Sequence, residues 1–293
     1  MANRRVLVRR RNSTRNIRKI TRTMQLIATA RYQTAYKRAS ATKPYSEKLA
    51  EMVGNLTRAS AGIDHPLMAE PESRDRSALV VVTSARGLAG GYNGNVLGVA
   101  TAHLDEQSAE GVETEAIVVR QKGINYFNFV GREMAQQIPD IADMPAFGEI
   151  EAIADELMDR FIAGEIGSAY VAYTHFYSTT RQRPALMQLL PLSFEVDESE
   201  EGAGAPRAVE FEFSPTPQEI LGELLPSSVR MRLYQAFTEA AVSEQIARMV
   251  AMKQATDAAE EKIKQLTREY NRARQTAITM ELLDIVGGAS ALA

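Results

Sequence analysis

The chain has 293 residues, 45% of them hydrophobic and 24% charged, with a net charge of −3 and no cysteine. Such a length accommodates two domains of ordinary globular composition. The missing cysteines exclude disulfides and thiolate metal sites, the net charge excludes a polycation, and no apolar run reaches the ~18 residues of a bilayer span.

The first 43 residues carry thirteen Arg or Lys and no acid. An Arg-rich, acid-free start can mimic an organellar presequence, but a helical pattern begins inside it, so it reads as mature structure. Ile17, Ile20, Met24, Ile27 and Tyr32 or Ala35 recur at roughly helical spacing. Helix formers from Thr14 to Arg58 predict one long basic helix, kinked or interrupted at Pro44. Its apolar stripe is narrow, as in half of a coiled coil. The arginines suit either a solvated face or a surface that sits inside something acidic.

Ala61 to Arg76, with Gly62, Pro66 and Pro71, reads as a linker. Ala78 to Thr83 is a β-branched run of strand length. It leads into Arg86-Gly87-Leu88-Ala89-Gly90-Gly91 and a helical stretch to about Gln107. Ala116 to Arg120 reads as a second buried strand and Tyr126 to Phe129 as a third. Glu149 to Ala163 is a helix. Ala169 to Tyr177 and Leu186 to Phe194 read as neighbouring strands joined by a polar turn. Strands alternating with helices predict an α/β sheet covered on both faces, with a late antiparallel element. Val196 to Arg207 is an acidic, polar, mobile loop, and Val209 to Phe213 an edge strand.

Pro226-Ser227-Ser228 suits the start of the last helix. Within it Met249, Met252, Thr256, Ala259, Ile263, Leu266, Tyr270, Ala273, Ala277 and Met280 fall at alternating three- and four-residue steps. That is a heptad seam, which winds two helices into a left-handed supercoil. Gly287-Gly288 reads as its stop. From Val229 to Val286 such a helix is about 85 Å long at roughly 1.5 Å per residue. Most of it must project beyond its own domain. The two ends therefore form an antiparallel coiled-coil shaft (residues 1–60 and 226–293). A Rossmann-like α/β domain with a mixed sheet (74–225) is inserted between them after a linker (61–73).

No catalytic constellation emerges. The glycine loop lacks the Lys-Ser/Thr end of a P-loop and misses the G-x-G-x-x-G spacing. Gly87, Gly90 and Gly91 read as a tight strand-to-helix turn. His65, His103 and His175 lie in different elements without ligand spacing, and Asp155, Glu156 and Asp159 read as ordinary exposed carboxylates on one helix. No catalytic, metal or cofactor residue is assigned. Two alternatives rest on the residues alone. One is a basic coiled coil that binds nucleic acid with a steep salt dependence. The other is a small-molecule enzyme using the glycine loop.

The run Ser243-Glu-Gln-Ile-Ala-Arg-Met-Val-Ala-Met-Lys-Gln-Ala-Thr256 resembles the C-terminal signature of the gamma subunits of rotary F-type ATP synthases. Tyr270 to Thr279 and Glu281 to Gly288 continue the resemblance. Ile17 to Met24 is similar to that family's first helix and Arg86 to Gly91 to its loop after the first strand. The family's usual Asp and Cys in that loop are replaced by Ala85 and Ala89. The resemblance implies a central-stalk rotor subunit, itself non-catalytic and without nucleotide. Its partners would be the alpha and beta subunits of the catalytic ring, the epsilon subunit and the c-ring of the membrane sector. It would be peripheral to the cytoplasmic face of a bacterial inner membrane, and would bind no nucleic acid. The resemblance also puts Met24, Arg274, Gln275, Thr279 and Glu281 where the shaft meets the ring.

Overall fold

The computed structural model describes residues 4–59, 65–71, 74–193 and 216–292. In chain order the elements are α1 (Arg4–Ala59), β1 (Arg76–Val82), α2 (Tyr92–Ala109), β2 (Glu113–Val119), α3 (Gln121–Val130), β3 (Gln136–Ile138), α4 (Phe147–Ile162), β4 (Ser168–Ser178), β5 (Arg181–Leu190) and α5 (Pro217–Leu292). Two long terminal helices thus flank a mixed α/β sheet, as expected from the sequence. The chain divides into two compact units, Met1–Ala30 with Arg248–Ala293, and Arg31–Ala247.

In the larger unit the five strands are ordered β3-β2-β1-β4-β5. All neighbours are parallel except β4 and β5, which run antiparallel. The central strands are apolar on both faces because both are covered. Alternation of period two sends Ala78, Val80 and Val82 of β1 to one side and Leu79 and Val81 to the other. The first side packs on Ile150, Ile153 and Leu157 of α4, on Val53 and Leu56 of α1, and on Leu221, Leu225, Val229 and Leu233 of α5. The second packs on Val96, Leu97 and Ala100 of α2 and on Ile124 and Phe127 of α3.

Four expectations need correction. Tyr126 to Phe129 is not a strand but the end of α3. Its aromatics carry high strand propensity, yet Ile124 and Phe127 are buried at helical spacing while Phe129 is 88% exposed. The three-residue β3 lies further on and is too short to register as a pattern. The last helix does not open at Pro226, which lies inside α5. The missing hydrogen bond is outweighed locally because Leu221, Leu225, Val229 and Leu233 are all fully buried on one face. Nor does Gly287-Gly288 end it, since the helix continues to Leu292. Likewise α1 is not interrupted at Pro44, which lies inside it. The expected loop at 196–207 and the strand at 209–213 lie outside the described residues.

The smaller unit is the pairing of α1 with α5. On α5 the seam read from sequence is the shielded face from Met249 to Ala277, with Met252, Thr256, Ala259 and Leu266 buried, while Met280 is exposed. On α1 the stripe is different from the one expected. Ile17, Ile20 and Ile27 are half or more exposed, and Leu26 with them. The shielded positions include Leu7, Arg11, Thr14, Arg18, Thr21, Gln25 and Ala28, at alternating four- and three-residue steps, with Val8, Met24 and Thr29 beside them. Small and polar residues predominate on this face beside buried Leu7, while Ile17, Ile20, Leu26 and Ile27 face out.

Candidate functional site

In open α/β sheets the usual ligand position is the crevice beyond the carboxyl ends of the strands, where the strand order reverses. Here that point lies beyond β1, between its neighbours β2 and β4. α5 crosses it. Arg120, the first residue after β2, is fully buried and donates to the Thr83 carbonyl (3.3 Å), to Glu244 Oε2 of α5 (3.4 Å) and to the Ala142 carbonyl (2.6 Å). Its backbone sits at φ 70°, ψ 159°, a region almost reserved for glycine. The side chain, anchored at three points, holds the main chain there. Glu244 is buried as well, at 1% side-chain exposure, so the pair is a closed ionic contact inside protein.

Neighbouring residues of α5 extend the contact. Tyr92 OH donates to the Ala240 carbonyl (3.2 Å), and Ser243 Oγ donates to the Thr174 carbonyl (3.3 Å). Glu239 accepts from the Phe176 amide (3.3 Å) and the Gln235 side chain (2.9 Å), and lies 2.6 Å from His175 Nδ1. Burial, with the Glu239 carboxylate close by, pushes the Tyr173 phenol well above its ordinary range. The crevice is therefore a helix-docking surface.

The glycine loop is built into the same structure. Asn93 Oδ1 accepts from the Ser84 amide (2.9 Å) and lies 3.0 Å from its hydroxyl, whose oxygen is 2.7 Å from the Arg86 carbonyl. Gly90 has φ 57°, the left-handed conformation that favours glycine, and exposed Leu88 shares it at φ 64°. Gly87 and Gly91 have no positive φ. A tighter demand falls on Gly123, where a Cβ would lie 2.7 Å from Val118 and 2.9 Å from Thr83. There α3 starts against the strand ends, its Gly123 amide donating to Thr83 Oγ1 (2.9 Å).

The histidines stay in separate places. His103 is buried edge-on against Tyr170, with ring centroids 4.5 Å apart, and burial lowers its pKa. His175 is held at Glu239, and His65 Nδ1 accepts from the Leu67 amide. Asp155, read as an ordinary surface acid, pairs with Arg230 of α5 at 2.6 Å. Among the described residues no cluster of His, Cys, Asp or Glu could hold a metal ion, and no helix is long and apolar enough to cross a membrane.

In the helix pair, Thr256 Oγ1 and Thr21 Oγ1 are hydrogen-bonded at 2.8 Å, and the Arg11 guanidinium lies over the Tyr270 ring, 5.1 Å from its centre. These two contacts fix an antiparallel register. By that register Met24 lies near Thr256, whereas Arg274 is on the order of 27 Å further along α5 at 1.5 Å per residue. The five predicted contact residues thus form two groups. Met24 is half-buried; Arg274, Gln275, Thr279 and Glu281 are exposed. Thr279 Oγ donates to the Gln275 carbonyl within the helix (3.0 Å). Beyond them Ile278, Met280, Leu282, Leu283, Ile285 and Val286 are 47–67% exposed, around the helix and not along one stripe. Contiguous apolar surface of this kind marks an interaction site.

This arrangement, a helix pair whose strands are the two chain ends with a sheet between them, has known counterparts. A family model described as ATP synthase matches residues 3–292. In the solved rotor of the Euglena gracilis mitochondrial ATP synthase one chain shares the fold, with a TM-score of 0.62 at 18% identity over 94% of this chain and 98% of that one. A central-stalk chain of the Tetrahymena thermophila enzyme has a TM-score of 0.57 at 18% identity over 80% of this chain and 99% of that chain. The ATP synthase gamma chain of Rhodopirellula baltica is 43% identical over all of this chain and 99% of its own length. That of Frankia casuarinae is 42% identical over 97% of this chain and 96% of its own length. The chain belongs to the ATP synthase gamma chain family.

Sequence reasoning missed Arg120 and Glu244. For Arg120 a signal was present, an arginine directly after the four buried-type residues Ala116 to Val119; for Glu244, which sits in Ser243-Glu244-Gln245, there was none.

Proposed function

We propose that this chain is the rotor of a bacterial F-type ATP synthase. Its helix pair turns inside the ring of alpha and beta subunits, and its α/β domain engages the epsilon subunit and the membrane-embedded c-ring. The chain performs no catalysis and holds no nucleotide. It is peripheral, on the cytoplasmic face of the inner membrane. Proton flow turns the domain, and the asymmetric helix pair biases each beta subunit toward a different state, which couples rotation reciprocally to nucleotide affinity.

The observation that carries this reading is the exposed apolar end of α5, Ile278 to Val286, on a helix that is otherwise shielded along its seam. Such an end needs an apolar sleeve. The acid-free N-terminal stretch adds a positive field suited to an acidic cavity. Met24, Arg274, Gln275, Thr279 and Glu281 are the proposed contacts with the ring, and Gly87, Gly90 and Gly91 shape the loop after β1.

The test is purification from the native membrane, followed by synthesis in reconstituted vesicles. One copy of the chain is expected per three alpha and three beta chains. Arg274→Ala combined with Gln275→Ala lowers coupled synthesis about tenfold, equivalent to roughly 1.4 kcal/mol, with the chain still assembled. Recovery of the chain mainly as a free protein contradicts the reading.

A further inference from the structure

The segment between β3 and α4, residues 139–146, has no regular structure, yet it touches both long helices and the sheet. Ile141 is buried in the main core. The Ala142 carbonyl takes the short bond from buried Arg120, which also reaches Glu244 of α5. Met144 packs on the cluster of Ala35 from α1 and Val242 and Ile246 from α5. The Met144 and Pro145 carbonyls both lie 3.4 Å from Arg38 Nη1 of α1. The Ala146 amide donates to Glu149 Oε2 (2.8 Å), fixing the exit into α4.

Asp143 stands at the centre. One of its oxygens, Oδ2, accepts from Arg31 of α1 (2.7 Å) and from Arg86 of the glycine loop. Asp143 is three-quarters shielded. A carboxylate between two guanidiniums attracts both. Without it, Arg31, Arg38 and Arg86 face one another as like charges, and the strap is pushed off α1.

On the rotor reading above, we infer that this strap, with Asp143 as its positioning residue, is a torsional lock between the α/β domain and the α1 strand of the helix pair. α5 is fastened to the sheet along its own buried face. Beside the strap, α1 otherwise meets the domain through Tyr36, edge-on to Phe176 of β4, and Ala35, packed on Val242 and Ile246, contacts without a directional polar bond. Torque applied to the domain would otherwise reach α1 through these contacts and through the apolar packing of its far end, at Val53 and Leu56. The lock carries it at Arg31 and Arg38, close to where the helix enters the smaller unit.

The experiment is single-molecule rotation of the assembled complex carrying Asp143→Asn, with torsional stiffness read from angular fluctuations at a stalled position. Stiffness falls by up to about half, because Arg38 still reaches the Met144 and Pro145 carbonyls. Unloaded hydrolysis and subunit content stay at the wild-type level. Asp143→Arg lowers stiffness further, and adding Arg31→Asp with Arg86→Asp restores it, which a merely structural residue would not do. Arg31→Gln breaks the same link from the helix side and lowers stiffness alike. Unchanged stiffness in these variants overturns the lock while leaving rotation, and the rotor reading, intact. A wild-type complex that does not rotate removes the rotor reading itself.

Discussion

Within α5 the same kind of helix meets two surroundings. From Ser228 to Arg248 nearly every position is shielded, including Thr238, Glu239, Ser243, Glu244 and Gln245. From Glu260 onward most positions are exposed, and the large apolar residues become more exposed toward the end. In the first stretch even charged groups serve the fold: Glu239 accepts from the Phe176 amide of β4, Glu244 pairs with Arg120 just after β2, and Arg230 pairs with Asp155 of α4. In the second, apolar groups contribute little to the chain's own stability, because they remain in water. Hydrophobicity and structural role are thus decoupled along one helix, and substitutions should separate the two stretches by their effect on folding.

The largest stability loss is expected at the crossing point. Arg120→Ala removes one partner of a buried pair and leaves Glu244 charged inside protein, at a cost of about 3–5 kcal/mol. Urea unfolding of the full chain measures it, and a loss near zero would mean that water reaches the pair. Next comes Gly123→Ala, where the added methyl meets Val118 and Thr83, at a cost of about 1–3 kcal/mol from overpacking. In the helix pair the effects shrink. Thr256→Val alone removes the cross-helix partner of Thr21, leaving its hydroxyl the Arg18 carbonyl (3.2 Å), and costs about 1 kcal/mol, whereas Thr21→Val with Thr256→Val is close to neutral. A double-mutant cycle checks this, and additive losses would show that the two hydroxyls do not depend on each other.

The smallest effect is a pH slope. Burial lowers the folded-state pKa of His103 below the ordinary value of 6.5. The unfolded chain then binds more protons below that value. The contribution is fully present above pH 6.5 and is lost as the pH falls through it toward the folded pKa. His103→Phe should flatten stability over that interval, measured by urea midpoints at stepped pH.

How much of this was legible follows the same division. The α5 seam was readable because its positions keep one period without Gly or Pro, and small residues obey the period as well as large ones do. The α1 seam was not. Its inner positions are Arg11, Thr14, Arg18, Thr21 and Gln25, whereas the apolar Ile17, Ile20 and Ile27 that suggest a core face lie outside. An apolar stripe reports what is buried in the working assembly, and a single chain shows only part of that. The buried strands were clear from their β-branched runs, and α3 was misread because Tyr126-Phe127-Asn128-Phe129 has the local propensity of a strand. Pro226 and Gly287 read as punctuation in the sequence, and packing or helix continuation overrides them. The contacts of Glu244 and Asp143 join residues 57 to 124 positions apart, so neither residue's neighbours in sequence announce its partner.

The central claim is that the apolar end of α5 acts on partners and not on the fold. The most direct test is a triple variant, Leu282→Ser, Leu283→Ser and Ile285→Ser, followed in two assays on the same preparation. The account predicts an unfolding free energy within about 0.5 kcal/mol of wild type for each exposed site, together with a loss of coupled synthesis in the reconstituted complex. A destabilised chain whose assembled complex still synthesises ATP at the wild-type rate would contradict it.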